Sequence, residues 1–339
     1  MARVSARLLE IIEAIYRDES DERAWIGGIL AAATPVLDRG CGLVGFPFEI
    51  GEQGLRAPWA KVVHAPPEIQ PAMFTAMLKM ARNDAGVQSA FRGAPCETSS
   101  QLGFGDHPAW KPLIARGILD FIAVCGIDTA GHGVVMGPLL PRVSQIDAPF
   151  RERFARVAAH LGVGQRYRRQ RNEAPAQAVF SPGAKLLHAE GDARKRAARE
   201  ALARAVVTID RARGRQRRTD PDGALHAWKG LVDARWSLVD EFESDGKRYV
   251  VARENEPVAP SLAALSKRER QIVGYAVLGH TSKLIAYELG IADATVRVLL
   301  HRAKRKLKVK LREGLVEAFV EATRSKRGRS KPSAGRTPS

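Results

Sequence analysis

The sequence predicts an α+β fold, with helices and antiparallel strands mixed through about residue 256 and an all-helical unit over residues 261–322. Apolar residues at three- and four-residue spacing mark helices, as at Leu8, Ile11, Ile12 and Ile15. Two apolar runs, 118–128 and 133–140, meet around Asp-Thr-Ala-Gly-His-Gly and mark a hairpin. Three capped helical segments then follow one another between residues 265 and 308.

Taken in order, a helix over residues 4–17 stands in an N-terminal segment, 1–24. A second helix runs from Trp25 to Asp38, and residues 42–50, GLVGFPFEI, form a strand. Residues 67–84 are helical, with Met73, Met77 and Met80 on one stripe that reads as ordinary core. Residues 93–112, rich in Gly, Ser and Pro, form a long loop. After the hairpin, a helix through residue 170 turns Phe150, Phe154, Val157 and Leu161 inward. Helices flanking antiparallel strands make residues 25–165 a sensor-type domain. A smaller α/β module or linker, PAS-like in outline, occupies 166–256. It holds a strand-turn-strand at 178–189 and a helix capped by Asp192 and running to Arg213. A hairpin over 235–254 with an Asp245-Gly246 turn completes it. Residues 254–262 form a linker, and 323–339 a disordered basic tail.

Of 339 residues, 54 are Lys or Arg and 37 Asp or Glu, giving a net charge of +17. That charge is unevenly placed: residues 1–165 carry −1, 166–260 carry +6 and 261–339 carry +12. A near-neutral front and a basic end point to a separate sensor and nucleic-acid reader. Cys41, Cys96 and Cys125 are odd in number and irregular in spacing, so buried thiols in a reducing cytoplasm are expected. No apolar run is long enough to span a bilayer and no signal-peptide core opens the chain; a cytoplasmic protein without membrane partners is expected. Gly40-Cys-Gly42-Leu-Val-Gly45 satisfies G-x-G-x-x-G, but the order is helix, glycines, strand, the reverse of a dinucleotide site. No nucleophile–base pair, metal-ligand spacing or acidic phospho-acceptor pocket is evident. Catalytic residues, metal and cofactor are each expected to be none.

The basic end explains itself in helical terms. Ser266 and Glu269 form a capping box for a helix whose inner face is Ile272, Val273, Ala276 and Val277. Gly279 ends it, and Thr281 caps a second helix carrying Ile285, Ala286 and Leu289. Gly290 turns the chain and Asp293 caps a third helix. Val296, Leu299, Leu300, Ala303 and Leu307 share one face of it; Arg297, His301, Arg305 and Lys308 take the opposite side, with Val298 and Lys304 at the borders. A short helix crossing a basic one fits a duplex major groove.

This stretch resembles the DNA-binding domain of LuxR-type transcriptional regulators. The resemblance rests on Leu265-Ser266-Lys267-Arg268-Glu269, Gly279, Lys283-Leu284-Ile285-Ala286, Thr295-Val296, and Lys306-Leu307 with Val309, in register without a gap. It implies a four-helix helix-turn-helix domain that dimerises through its last helix, residues 312–322, using Leu315, Val316 and Phe319. It also implies base contacts at Arg297, Val298 and His301 and phosphate contacts at Lys283 and Lys306. With their neighbours, the expected DNA-binding set is Lys283, Thr295, Val296, Arg297, Val298, His301, Arg302, Lys304, Arg305 and Lys306. Two positions depart from the family pattern. Leu299 stands where a polar residue is common, and Lys308 replaces a Gly, leaving the recognition helix free to run on. The upstream arrangement is similar to GAF-like sensors placed ahead of such domains, so residues 25–165 are read as a GAF-like sensor domain, followed by the PAS-like module or linker at 166–256.

The expected function is a dimeric DNA-binding transcriptional regulator that couples an N-terminal sensor to promoter binding. Its expected partners are double-stranded DNA, a small-molecule or protein signal, and a second copy; RNA polymerase is a candidate. Thr295-Val296-Arg297 and Leu300-His301-Arg302-Ala303 also resemble a sigma-factor promoter-recognition region, the alternative reading. Lys283 lies where sigma factors more often place an acid, which disfavours it.

Overall fold

The computed structural model describes residues 2–17, 19, 21–51, 54–80, 90–105, 107–170, 175–181, 183–242, 248–255, 264–309, 315 and 318. Helices α1 (Ala2–Ile15) and α2 (Glu22–Leu37) lead into strand β1 (Leu43–Gly51), on which the short β2 (Gly54–Arg56) and β3 (Lys61–Val63) fold back. Next come α3 (Ile69–Met80), β4 (Cys96–Thr98), a 3-10 turn at Pro108–Trp110 and α4 (Lys111–Ile114). The hairpin of β5 (Asp120–Ile127) and β6 (His132–Leu140) feeds the long α5 (Ala148–Gln170). A second set follows: β7 (Ala176–Phe180), β8 (Leu186–Ala189), α6 (Arg196–Arg213), α7 (Arg215–Thr219), α8 (Pro221–Ala227), β9 (Trp236–Phe242) and β10 (Arg248–Glu254). Helices α9 (Lys267–Val277), α10 (Ser282–Leu289) and α11 (Asp293–Leu307) complete the described elements. None of them is long and apolar enough to cross a membrane.

Both sheets are antiparallel. The first has the order β2-β1-β6-β5-β4, with β3 also paired to β1; the second is β8-β7-β10-β9. The first sheet is covered on two sides. Gly45 and Gly126 share a face, because their partners Met136 and Val134 lie two residues apart on β6. Gly45 sits beneath Ile26 and Leu30 of α2, and Gly126 beneath α5. Phe46 and Cys125 both pair with Val135 and project the other way, with Met73 and Met77 of α3.

Close approach of α5 to the sheet depends on Gly126. A methyl group there would lie 2.3 Å from the Ala158 carbonyl and 2.4 Å from the Gly162 nitrogen. The helix therefore rests on the sheet backbone itself. Every residue from Val157 to Tyr167 is buried, where an inward stripe alone was expected. Phe154, Val157 and Leu161 take their expected places, and Phe150 stacks on Phe154 with ring centroids 4.3 Å apart. The other sides of α5 bury His160, Gln165 and Arg166, whose polar atoms demand partners.

Two of those partners, Tyr287 and Tyr275, come from the C-terminal helices. The Tyr287 hydroxyl of α10 donates to the Leu225 carbonyl (2.9 Å) and lies 2.8 Å from His160 Nε2, so it accepts from that nitrogen. His160 Nδ1 then faces the Tyr16 hydroxyl of α1 at 2.9 Å. Arg166 donates from Nε to Asn255 Oδ1 and from Nη1 to the Tyr275 hydroxyl of α9 (2.7 Å). A tight turn at 232–235 adds backbone bonds: Leu231 N to Glu288 O (2.9 Å) and Ala234 N to Leu289 O (2.7 Å). Its central residues, Asp233 and Ala234, have φ of 49° and 56°, a left-handed conformation that non-glycine residues hold only when surroundings impose it. One continuous apolar core consequently reaches from Leu8 in α1 to Val296 in α11.

Several expectations need correction. The stretch 93–112 is not one loop: Cys96–Thr98 pairs with β5, and a helical turn and α4 follow. Three residues are too few to carry a readable period. Asp192 does not cap α6, which starts at Arg196 with Lys195 as N-cap; its carboxylate binds Arg235 and Lys195 instead. Trp228 ends α8 and stacks on Tyr16 with ring centroids 6.1 Å apart. Helices α7 and α8 had no periodic signature and were not expected. The turn at Asp245-Gly246, most of the 254–262 linker, the side chain of Met80 and the basic tail lie outside the described residues.

Two outcomes follow. Gly126→Ala should cost at least about 2 kcal/mol in chemical denaturation through the clash with α5. Gly28→Ala, a helical site with nothing within 4 Å of the added methyl, should instead stabilise by up to about 1 kcal/mol. The second outcome concerns pH. Burial, then the charge of Lys229, holds His160 at about 3 against an ordinary 6.5, partly offset by a backbone hydrogen bond at Trp228. Between those values the unfolded chain binds the extra proton. This contribution is therefore complete above about pH 6.5 and falls on acidification by roughly 1.4 kcal/mol per pH unit. Denaturation midpoints between pH 4.5 and 7.5 should show a slope about one proton shallower in His160→Gln.

Candidate nucleic-acid interface

The C-terminal unit is built by its caps. Ser266 Oγ accepts from Glu269 N (3.3 Å) and Glu269 Oε2 accepts from Ser266 N (2.8 Å), closing the expected capping box on α9. Gly279 takes φ +89° after α9, and Thr281 Oγ1 accepts from Leu284 N at 3.2 Å to start α10. Gly290 ends α10 in the left-handed region, with φ 64° and ψ 33°. A side chain there would also strike the Leu231 carbonyl at 1.9 Å, so both conformation and contact require glycine.

The third helix, α11, begins otherwise than expected. Ala292 is its N-cap and makes no side-chain cap bond; Asp293 is the first helical residue and pairs with Arg297 one turn on. Its far end is also a correction. Lys308 adopts φ 57° and ψ 32° and terminates the helix as the absent glycine would have done. Val309 N and Lys308 N reach back to the carbonyls of Lys304 (3.0 Å) and Arg305 (3.2 Å). Leu307 and Val309 pack on Leu265, Val273, Ala303 and Leu315, which offsets the strain of a left-handed lysine.

The expected site residues divide by exposure. Thr295, Arg297, Val298, His301, Arg302, Arg305 and Lys306 are exposed, and Lys304 is half-buried. Arg297, Val298, His301, Arg302 and Arg305 fall on one face of α11, at steps of one, four, five and eight residues. Val296 does not join them: it is fully buried, one helical step away in the core of the unit. Leu299, the departure from the family pattern, is half-buried against that core. Lys283 is exposed on the first turn of α10, apart from the α11 face. Leu315, expected at a dimer surface, is buried in the small cluster with Leu265, Val273 and Ala303; Val316 and Phe319 lie outside the described residues.

Charge on this unit is nearly of one sign. Residues 264–309 hold ten Lys or Arg and three carboxylates. Glu288 is buried, Glu269 is buried and bonded by Lys306 at 2.7 Å, and Asp293 is held by Arg297. Burial alone would raise the Glu269 carboxyl; the bonds from Lys306 and Ser266 outweigh it and hold the group below its ordinary value. What remains on the outside is cationic. The three cysteines are unpaired; burial pushes the Cys96 and Cys125 thiols well above their ordinary range. Among the described residues no cluster of His, Cys, Asp or Glu could hold a metal ion.

Tyr275, Tyr287 and Glu288 were missed by sequence reasoning. The periodic core of α10 is Ile285, Ala286 and Leu289, yet residues 285–289 are all buried. Tyr287 lies outside that stripe, and a tyrosine on the outer face of a two-turn helix was the signal available.

Comparison with known proteins bears on this unit. Residues 263–319 match the family described as bacterial regulatory proteins, luxR family. The response regulator protein TodT of Pseudomonas putida is 34% identical over 87 residues, covering 26% of this chain and 36% of TodT. The response regulator protein TmoT of Ectopseudomonas mendocina is 40% identical over 68 residues, covering 19% of this chain and 31% of TmoT. The chain thus spans about a third of the length of these curated relatives. Capped helices, a cationic outer face and this match agree: residues 263–319 form a DNA-binding helix-turn-helix domain of the luxR family of bacterial regulatory proteins.

Proposed function

We propose that the chain is a transcriptional regulator in which the mixed α/β body, GAF/PAS-like in layout, governs promoter binding by the luxR-family domain in response to a small-molecule or protein signal. The observation that carries it is the split personality of α11. One side fills a core that is continuous with the body, while the other presents Arg297, Val298, His301, Arg302 and Arg305 to solvent. Dimerisation through residues 312–322 belongs to the same reading, and so does placement in the cytoplasm. The family match favours a regulator over a sigma factor.

The chemistry follows from the side chains. Lys283, at the positive end of the α10 dipole, and the Lys304–Lys306 run neutralise phosphates and set the register of α11. Arg297 exchanges its exposed contact with Asp293, a pairing of small net worth, for guanine O6 and N7. Val298 offers an apolar surface to a thymine methyl group.

Selection of bound duplexes from a random pool by the full chain should return a recurring sequence, and failure to enrich any would remove the proposal. On the selected duplex, Arg297→Ala should lose about 1–3 kcal/mol and relax base preference at one position. Equal losses on selected and random duplex would rule it out as a base reader. Lys283→Ala should weaken all sequences alike and reduce the salt-dependence slope by about one.

A further inference from the structure

A cavity lies between the first sheet and α3, on the face opposite α5. Its walls are aromatic and thioether side chains, among them Phe46, Met73, Met77, Phe91, Phe104 and Phe121. It encloses about 500 Å³ between atoms, its mouth included, but only about 30 Å³ would admit the centre of a water molecule. Among the described residues no carboxylate, lysine, arginine or histidine lines it, so a phosphate, carboxylate or ammonium group would lose hydration there without compensation from them. Its polar groups are few. Ser99 Oγ is committed to Asp120 Oδ1 at 2.6 Å, and Cys125 Sγ to the Phe91 carbonyl at 3.3 Å. Trp110 is different: the residue is 2% exposed, and its indole Nε1 is buried with no hydrogen-bond partner among the described residues. A buried donor left unmatched is costly and rare.

We propose that this cavity binds a small, flat, predominantly apolar molecule carrying one hydrogen-bond acceptor, which the Trp110 indole N–H receives. The inference rests on the sensor reading above and gives it a ligand class. Its position suits a sensor. The wall residue Phe91 packs edge-on to Phe48 with centroids 5.1 Å apart, and residues 90–93 are in a helical turn, the Ala94 N–H bonding the Ala90 carbonyl at 3.1 Å. The outer end of that turn abuts the DNA-binding domain: a methyl on Gly279 would meet Gly93 Cα and O at 3.1 Å. Gly279 opens the connection from α9 to the α10 turn that carries Lys283. A molecule wider than the narrow cavity parts its walls, and this wall has the helix-turn-helix behind it.

The test uses two probes of nearly equal shape, acetophenone with a carbonyl acceptor and ethylbenzene without one. They are titrated into the full chain labelled with ¹⁵N at tryptophan. Acetophenone should bind saturably and shift the Trp110 indole N–H resonance downfield, the assignment being made with Trp110→Phe. Ethylbenzene should bind about tenfold more weakly and leave that resonance in place, the difference expected of one hydrogen bond. Trp110→Phe should bring acetophenone down to the ethylbenzene level. Should that variant not fold, Ala94→Leu, which fills the cavity, should abolish binding of both probes. Absence of saturable binding up to the solubility limit, or affinities indifferent to the acceptor, overturns the site. Duplex affinity, measured with and without acetophenone, separates this inference from the regulator reading. Duplex binding without probe binding removes the ligand site alone, and probe binding without any duplex binding removes the regulator alone.

Discussion

A guanidinium with almost no access to water, that of Arg166, holds together segments far apart in the chain. It lies in the buried stretch of α5, bonds Asn255 just after β10, and bonds Tyr275 in α9. Burial works against its charge; Tyr275, Glu288 and Asp128 more than compensate, and its proton is held more tightly than usual. A charge so placed tolerates no loss of partners, because water cannot replace them. Asn255 is itself fixed by Ser237 Oγ at 2.7 Å, so the anchor reaches the second sheet. His160 performs a neutral version of the same task one turn and a half earlier, joining α1 to α10. The body and the DNA-binding domain are therefore fastened through polar groups at fixed angles as well as through apolar contact.

This fastening explains why the short helices of the domain are buried almost all round. In α10, Ile285, Ala286 and Leu289 serve the domain's own core, whereas the Tyr287 side chain and the Glu288 carbonyl serve the body. In α9, Val273 faces Leu265 and Ala303, while Tyr275 reaches Arg166. Among the described helices of the domain only α11 keeps a broad free face, and it is the face with the guanidinium groups. Exposure on this domain is thus a record of what each helix has left after two sets of contacts. Cation density on α11 survives because the three carboxylates of the domain are buried or paired.

Backbone conformation marks the same junction. Gly290 takes a left-handed turn against the Leu231 carbonyl, and the facing turn forces Asp233 and Ala234 into the same region. Two non-glycine residues in succession at positive φ store strain of order 1–3 kcal/mol each. They are held by the Leu289 carbonyl, by Gln271 at 3.3 Å and by Arg268 on Asp233 at 2.7 Å. All three holders belong to the DNA-binding domain. Undocking would release the strain, so the turn and the domain fix one another.

Much of the molecule was legible without coordinates. The first helices, β1, α3, the β5–β6 hairpin, α5 and the caps of Ser266, Thr281 and Gly290 all rest on local periods or local cap chemistry. Those are properties of neighbouring residues, and a linear sequence displays them directly. So was the cationic face of α11, which helical spacing alone places. The three-residue β4 and the role of Asp192 were not legible, since β5 pairs with β4 across 24 to 28 residues and Arg235 lies 43 residues from Asp192. Nor was the end of α11: Lys308 is a poor residue for a left-handed cap, and only the packing of Leu307 and Val309 makes it one. What tertiary structure alone decided is which polar side chains are buried. Arg166, His160, Tyr275 and Glu288 look like surface residues on isolated helices. They become the joint of the protein because another helix arrives with hydrogen-bonding groups at matching positions, and no local pattern encodes that arrival.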